Sequence, residues 1–160
     1  IKMKSIKIWA ALLAVSLLFL VSCSDDEQTD TIKPEINMDV AGAFPQPCDT
    51  LYRGESFTFK AEFTDNVELG AYNLELHHNF DHHTHGSHVE TCPVHPDKDP
   101  VNPFYLNQNY DIPAGSSTYT AEVEIDIPAD VDTGDYHFMV KVTDREGWQG
   151  WQSVSVKIED

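Results

Sequence analysis

Tyr119, Ala121, Val123, Ile125 and Ile127 take every second position of one stretch, with Thr120, Glu122, Glu124 and Asp126 between them. A period of two sends alternate side chains to opposite faces, which is the pattern of a half-buried strand. The same alternation recurs at Ile36, Met38 and Val40; at Phe57, Phe59, Ala61 and Phe63; and at Tyr72, Leu74 and Leu76. It returns at Tyr136, Phe138, Val140 and Val142 and at Val154, Val156 and Ile158, with a less regular piece from Phe104 to Ile112. No segment shows helical periodicity. Seven strands in the roughly 125 residues after Pro34, one domain's worth, predict an all-β sandwich over residues 34–160.

The residues ahead of that domain read as an address. Lys4 and Lys7 make a basic start, and Ile8 to Val21 is an apolar run of 14 residues. That is the length of a signal-peptide core and falls short of the ~20 residues that span a bilayer. Leu20-Val21-Ser22-Cys23 resembles a bacterial lipobox, which implies that Cys23 becomes the lipid-modified first residue. Ser24-Asp25-Asp26-Glu27 resembles the surface-export signal of Bacteroidetes lipoproteins. The expectation is a signal peptide at 1–22, a polar lipidated tether at 23–33, and an outer-membrane lipoprotein exposed at the cell surface.

Charge and cysteine usage narrow the partners. The chain carries a formal −17, and loss of Lys2, Lys4 and Lys7 with the signal segment leaves 7 basic against 27 acidic residues, a net of −20. That balance argues against nucleic acid and anionic membrane surfaces, and favours cations. With Cys23 taken by lipid, Cys48 and Cys92 are left as a pair in an oxidising compartment, where a disulfide is expected. It would close a loop of roughly 45 residues and contribute ~4 kcal/mol in the chain-entropy model. A zinc site on the two thiols is the competing reading, weakened because neither belongs to a C-x-x-C.

Turn sequences place the sandwich more closely. Asp132-Thr133-Gly134-Asp135-Tyr136 resembles the tyrosine corner of Ig-like domains, with Tyr136 as the corner residue. Thr64-Asp65-Asn66, and the run from Val142 to Gly147, resemble turns of bacterial Ig-like domains. Together with the histidine block HHNFDHHTH that follows the third strand, these features resemble an uncharacterised Ig-like lipoprotein family of Bacteroidetes, domain-of-unknown-function family 4625. The resemblance covers nearly all of the mature chain. It implies fold and location, and supplies no established activity.

The histidines carry the functional expectation. Six fall between Leu76 and Val89, with His95 and His137 outside that stretch. Neutral imidazole is the commonest protein metal ligand. In an Ig topology the third and sixth strands, C and F, pair antiparallel, and their inward residues leave His77 and His137 facing outward. Those two become cross-strand neighbours with β-carbons about 5 Å apart. The C–D loop can fold back to bring His82, His83 or His85. His78 is expected either as a further ligand or as a hydrogen-bonded structural histidine, and His88 and His95 as solvent-exposed. Asp81 is placed to orient an imidazole rather than to ligate. Three or four imidazoles suit zinc first, with copper and nickel compatible, and Met139 near His137 raises copper.

Asp65 and Asp144 should meet at the opposite end, where they could hold calcium, although capping of tight turns is the favoured role. Trp148 and Trp151 straddle a turn at that end and could form a sugar or partner platform. No catalytic frame is visible: Gly54-Glu55-Ser56 and Gly115-Ser116-Ser117 lack the nucleophile-elbow pattern. The first reading is a non-enzymatic surface lipoprotein that captures or senses a divalent metal, beside an outer-membrane uptake receptor. The alternatives are an adhesion or interaction module with a structural His-rich loop, and a zinc hydrolase using Glu75 or Asp81 as base.

Overall fold

The computed structural model describes residues 29–83 and 92–160. These form eight strands: β1 (Glu35–Asn37), β2 (Thr50–Tyr52), β3 (Ser56–Thr64), β4 (Leu69–His78), β5 (Leu106–Asp111), β6 (Thr118–Asp126), β7 (Gly134–Asp144) and β8 (Gln149–Glu159). One sheet runs β1-β3-β6 and the other β2-β8-β7-β4-β5. All neighbours are antiparallel except β2, which lies parallel to β8. The architecture is a β-sandwich, and β4, β7 and β8 pair as strands C, F and G do in an Ig domain.

The alternating positions become the core. Phe59, Ala61 and Phe63 of β3 and Ala121 and Ile125 of β6 face Tyr72, Leu74, Leu76, Phe138, Val140 and Val142 of the other sheet, all buried. Phe59 meets Phe138 at 5.5 Å between ring centroids, and Phe63 meets Tyr72 at 5.1 Å. Such rings each bury a large apolar area and pack edge-on or tilted against one another.

Two features depart from the seven-strand expectation. β2 is an additional strand of three residues whose single buried side chain, Leu51, offers no alternation to detect. The irregular piece at 104–112 forms β5, which pairs with β4 and so extends the five-stranded sheet. The tether expectation also needs revision at its end. Asp30 is buried, its Oδ1 accepts from the Asn66 amide, and its carbonyl accepts from the Trp148 indole, so this part of 23–33 is held against the domain.

The connection from β4 to β5, residues 79–105, carries most of the histidines. Connections of that length usually carry function or are disordered. The part described here is fastened at several points. Asn79 N–H donates to the Asp135 carbonyl, and Lys98 N–H to the Phe80 carbonyl. The N–H groups of Val101 and Asn102 both donate to Asp132 Oδ2. Cys92 is bridged to Cys48, with Cα atoms 5.4 Å apart, which establishes the expected disulfide between two loops at one end of the sandwich. Tyr136 forms the tyrosine corner: its hydroxyl donates to the Asp132 carbonyl at 2.6 Å and accepts from Phe104 N–H at 3.2 Å. The covering connection explains why both faces of β7 are buried at its start.

Candidate metal centre

His77 and His137 are paired directly across β4 and β7. Both point away from the core, because Leu76 and Phe138 take the inward positions and side chains alternate. His83 arrives from the loop. Phe80 is buried against Tyr136, 5.3 Å between ring centroids, and its outer face carries the Lys98 ammonium at 4.4 Å. This anchors a turn in which His82 N–H donates back to the Asn79 carbonyl and His82 takes a positive φ of 52°. The chain then reverses, and His83 lands over the strand pair.

The three imidazoles form a compact group, one ligand nitrogen of each lying within 4.8 Å of the others. His77 and His83 stack nearly parallel at 5.6 Å, and His137 stands edge-on to both, at 5.7 and 5.3 Å. Nε2 of His83 is 3.4 Å from Nε2 of His77. Two nitrogens each ~2.0–2.1 Å from a tetrahedral zinc are separated by about 3.3–3.4 Å, so this spacing is that of a coordination edge.

Carboxylates lie beside the opposite nitrogens of the same rings. His77 Nδ1 lies 3.0 Å from Glu75 Oε1, and His83 Nδ1 lies 2.5 Å from Asp81 Oδ1. For His83 the Asp81 carboxylate on Nδ1 favours that nitrogen as the donor and leaves Nε2 as a lone-pair ligand, the usual outer-sphere arrangement of metal-bound histidine, while Glu75 lies beside His77 Nδ1 as a charge neighbour. The Asp81 carboxyl sits below its ordinary range, chiefly through the His83 hydrogen bond, opposed by burial. His137 lies at the back of the group, 6 % exposed, whereas the His83 side chain at the front is 34 % exposed. An open cleft of about 370 Å³ borders the front, walled by Tyr105, Leu106 and Asn107. A fourth ligand or a small molecule has access there.

Three of the six expected histidines are thus brought together. His78, next along β4 from His77, faces the other way and stacks on Phe80 at 4.8 Å, with Tyr105 edge-on. Its Nδ1 is buried and has no hydrogen-bond partner among the described residues, and the ring lines the same cleft as His77 and His83. His82 turns to the far side of the loop, with Nδ1 at 2.8 Å from Asp97 and Nε2 at 3.4 Å from Asp135. Neighbouring residues at a positive-φ turn diverge, and this separates His82 from His83. His95, expected free in solvent, joins the same network through Asp135 (3.1 Å) and Glu159 (3.2 Å). Met139 pairs with Glu75, one step along the sheet from the histidine pair. His85, His88 and Cys23 lie outside the described residues.

Sequence reasoning missed the role of Asp135, buried and holding His82 and His95 together, because no spacing links those three positions. At the other end of the sandwich Asp65 and Asp144 do meet, and Asp30 joins them.

The fold and site define a β-sandwich domain with a three-histidine cluster on its larger sheet. The chain belongs to the family described as Domain of unknown function (DUF4625), whose model matches residues 21–159. No curated protein matches it. Among solved structures it is similar to a GspB Siglec domain, at 21 % identity and TM-score 0.41, covering 81 % of this chain and 59 % of that one. It is also similar to the sporulation control protein Spo0M of Bacillus subtilis, at 10 % identity and TM-score 0.41, covering 80 % and 49 %. A third is a point mutant of the SrpA adhesin of Streptococcus sanguinis, at 17 % and TM-score 0.40, covering 82 % and 56 %. The chain spans about half to three-fifths of the length of these structures.

Proposed function

We propose that this domain binds one transition-metal ion through His77, His83 and His137, with zinc as the first choice and copper as the principal competitor. The observation that carries the reading is the pair of Nε2 atoms 3.4 Å apart, each on a ring whose Nδ1 meets a carboxylate. With the proton of each ring on Nδ1, both Nε2 atoms present lone pairs and a shared cation holds them at this distance; with one Nε2 protonated, the same contact is an N–H···N hydrogen bond, and the metal titration below separates the two. Copper gains from the Irving–Williams order, which favours it over zinc in any nitrogen site.

The binding role belongs to a lipid-anchored protein at the cell surface that captures or senses the metal, in the company of an outer-membrane uptake receptor. Support comes from the lipobox-like Leu20-Val21-Ser22-Cys23 and the acidic residues after it. Labelled fatty acid should enter the protein and depend on Cys23, and incorporation that persists in Cys23→Ala rejects the anchor.

Binding is favoured over hydrolysis. Of the two carboxylates that could serve as a base toward metal-bound water, Asp81 has one oxygen engaged by His83 Nδ1 and Glu75 has one oxygen 3.0 Å from His77 Nδ1, positions that suit orienting the rings. The deciding experiment is elemental analysis of protein purified without affinity tags, followed by calorimetric titration in metal-free buffer. Near 1:1 zinc at neutral pH is expected, with release as pH falls below the reference imidazole value of about 6.5, because only neutral imidazole ligates. His137→Ala should weaken binding strongly and His95→Ala little. Equal affinity in His137→Ala and wild type rejects the site.

A further inference from the structure

The end of the sandwich opposite the histidines holds a second convergence, built from three loops. One carboxylate oxygen from each of Asp30, Asp65 and Asp144 comes within 4.8 Å of the others. Asp30 precedes β1, Asp65 sits in the β3–β4 turn, and Asp144 ends β7. Asp30 and Asp144 are 8 % and 4 % exposed.

Among the described residues each carboxylate divides its work in the same way. Asp30 Oδ1 accepts from Ile32 N–H at 3.0 Å and from the Asn66 amide at 2.9 Å, while its Oδ2 is buried without a partner. Asp65 Oδ2 accepts from the N–H groups of Val67 and Glu68, both at 2.8 Å, while its Oδ1 is buried without a partner. Asp144 Oδ1 accepts from Trp148 N–H at 2.8 Å, while its Oδ2 is buried without a partner. The turn-capping expected of Asp65 and Asp144 is therefore real, and it consumes only half of each group.

Three carboxylates side by side, those of Asp30 and Asp144 buried, each with one oxygen unpaired among the described residues, repel one another unless a cation lies between them or one takes up a proton. Among the described residues no lysine, arginine or histidine pairs with any of the three, and Arg145, at the same turn, is engaged by Glu68. All-oxygen donors select a hard cation. Oxygens on opposite sides of a calcium ion are about 4.6–5.2 Å apart, which accommodates this group.

We propose that Asp30, Asp65 and Asp144 form a calcium site that clamps the N-terminal segment onto the β3–β4 and β7–β8 turns. The segment is already guided there. The Trp148 indole N–H donates to the Asp30 carbonyl at 2.9 Å. A side chain at Gly150 would place its Cβ 2.2 Å from the Pro34 carbonyl oxygen, so glycine is what lets the segment cross this sheet end. Asp30 is the ligand contributed from ahead of the first strand. Calcium thereby decides whether residues 30–34 stay seated, and so fixes where the preceding chain leaves the domain.

The test uses the full mature protein, freed of metal with chelator. Trp148 touches the Asp30 carbonyl, so terbium bound at this site should give indole-sensitised emission that saturates near 1:1 and is displaced by calcium. Calcium should raise the Tm of wild type and increase amide protection of residues 30–34. Asp144→Asn keeps an oxygen to cap Trp148 and removes one charge, and Asp30→Asn does the same outside the strands. Each should weaken calcium binding roughly tenfold or more, since ligand charge count sets affinity in such sites. No saturable calcium binding up to about 10 mM, beyond the ~10⁻⁴–10⁻³ M range of extracellular modules, overturns the proposal. Wild-type affinity in both folded variants overturns it equally.

Discussion

His77 and His83 present their Nε2 atoms to each other across 3.4 Å, although one belongs to a strand and the other to the loop that follows it. The sheet supplies rigidity: His77 and His137 are fixed by β4–β7 pairing, with Leu76 and Phe138 buried behind them. The loop supplies closure, held by Phe80 beneath Tyr136. A metal bound here would join a rigid pair to a seated loop, so little ordering cost would remain at the moment of binding.

The carboxylates behind the imidazoles should tune affinity. Glu75→Ala and Asp81→Ala are each expected to weaken zinc binding, by roughly 10–100-fold at most, because loss of an outer partner frees the ring orientation and lowers ligand basicity. Glu75→Ala should cost more, since Asp81 is 72 % exposed and Glu75 only 36 %. Competition titration against a zinc-chelating dye measures both. Unchanged affinity in both variants would make these contacts incidental to the site.

The tyrosine corner should hold the connection that carries His83. Tyr136→Phe removes the donor to the Asp132 carbonyl and leaves Phe104 N–H without its acceptor. An unsatisfied buried group costs roughly 1–3 kcal/mol, so the Tm should fall by several degrees. The Tyr136 hydroxyl is itself pushed up to about 12 by burial, partly offset by the Phe104 hydrogen bond, so no ionisation complicates a comparison at neutral pH. Thermal denaturation of the two proteins decides it, and matching midpoints would leave the corner without energetic weight.

Those two sites differ in how much the sequence disclosed. Period-two alternation at 72–76 and 136–142 fixes strand faces, and strand faces with an Ig order put His77 beside His137. Asp81 was also legible, two residues from His83 in a tight turn. His82 and His83 were not separable, because the positive φ at His82 that sends them to opposite sides is a property of the folded loop. Asp30 was hidden for another reason. It lies in a polar stretch with a single apolar residue, Ile32, which reads as tether, and only the approach of Pro34 over Gly150 shows it to be part of the domain.

Asp132 gives the fold an acid-sensitive fastening. Burial pushes its carboxyl up, but the N–H groups of Val101 and Asn102, aided by the Lys98 charge, outweigh that and bring it below its ordinary 3.8. A depressed folded-state value means the carboxylate stabilises the fold above the unfolded value, and that contribution is lost as pH falls through the folded one. Asp132→Asn should therefore be less stable than wild type above about pH 4, with the gap narrowing under more acidic conditions. Urea denaturation at a series of pH values reads this directly, and a gap that stays constant with pH would rule it out.

The disulfide and the metal should act on the same connection from two sides. Cys48–Cys92 fastens residue 92, and a metal on His83 would fasten residue 83. Closing a loop of this size contributes ~4 kcal/mol through the unfolded chain, so replacing both cysteines by serine should lower stability by an amount of that order. Zinc at about 100 times its Kd adds roughly 2.7 kcal/mol to any protein whose native state alone binds it. Saturating zinc should then recover a large part of the stability lost in the Cys48→Ser, Cys92→Ser double variant. It should not do so once His137→Ala is added. Thermal melts of the double and triple variants with and without zinc separate the two clamps. A zinc-induced rise that survives in the triple variant would place the stabilising metal somewhere other than the three-histidine group.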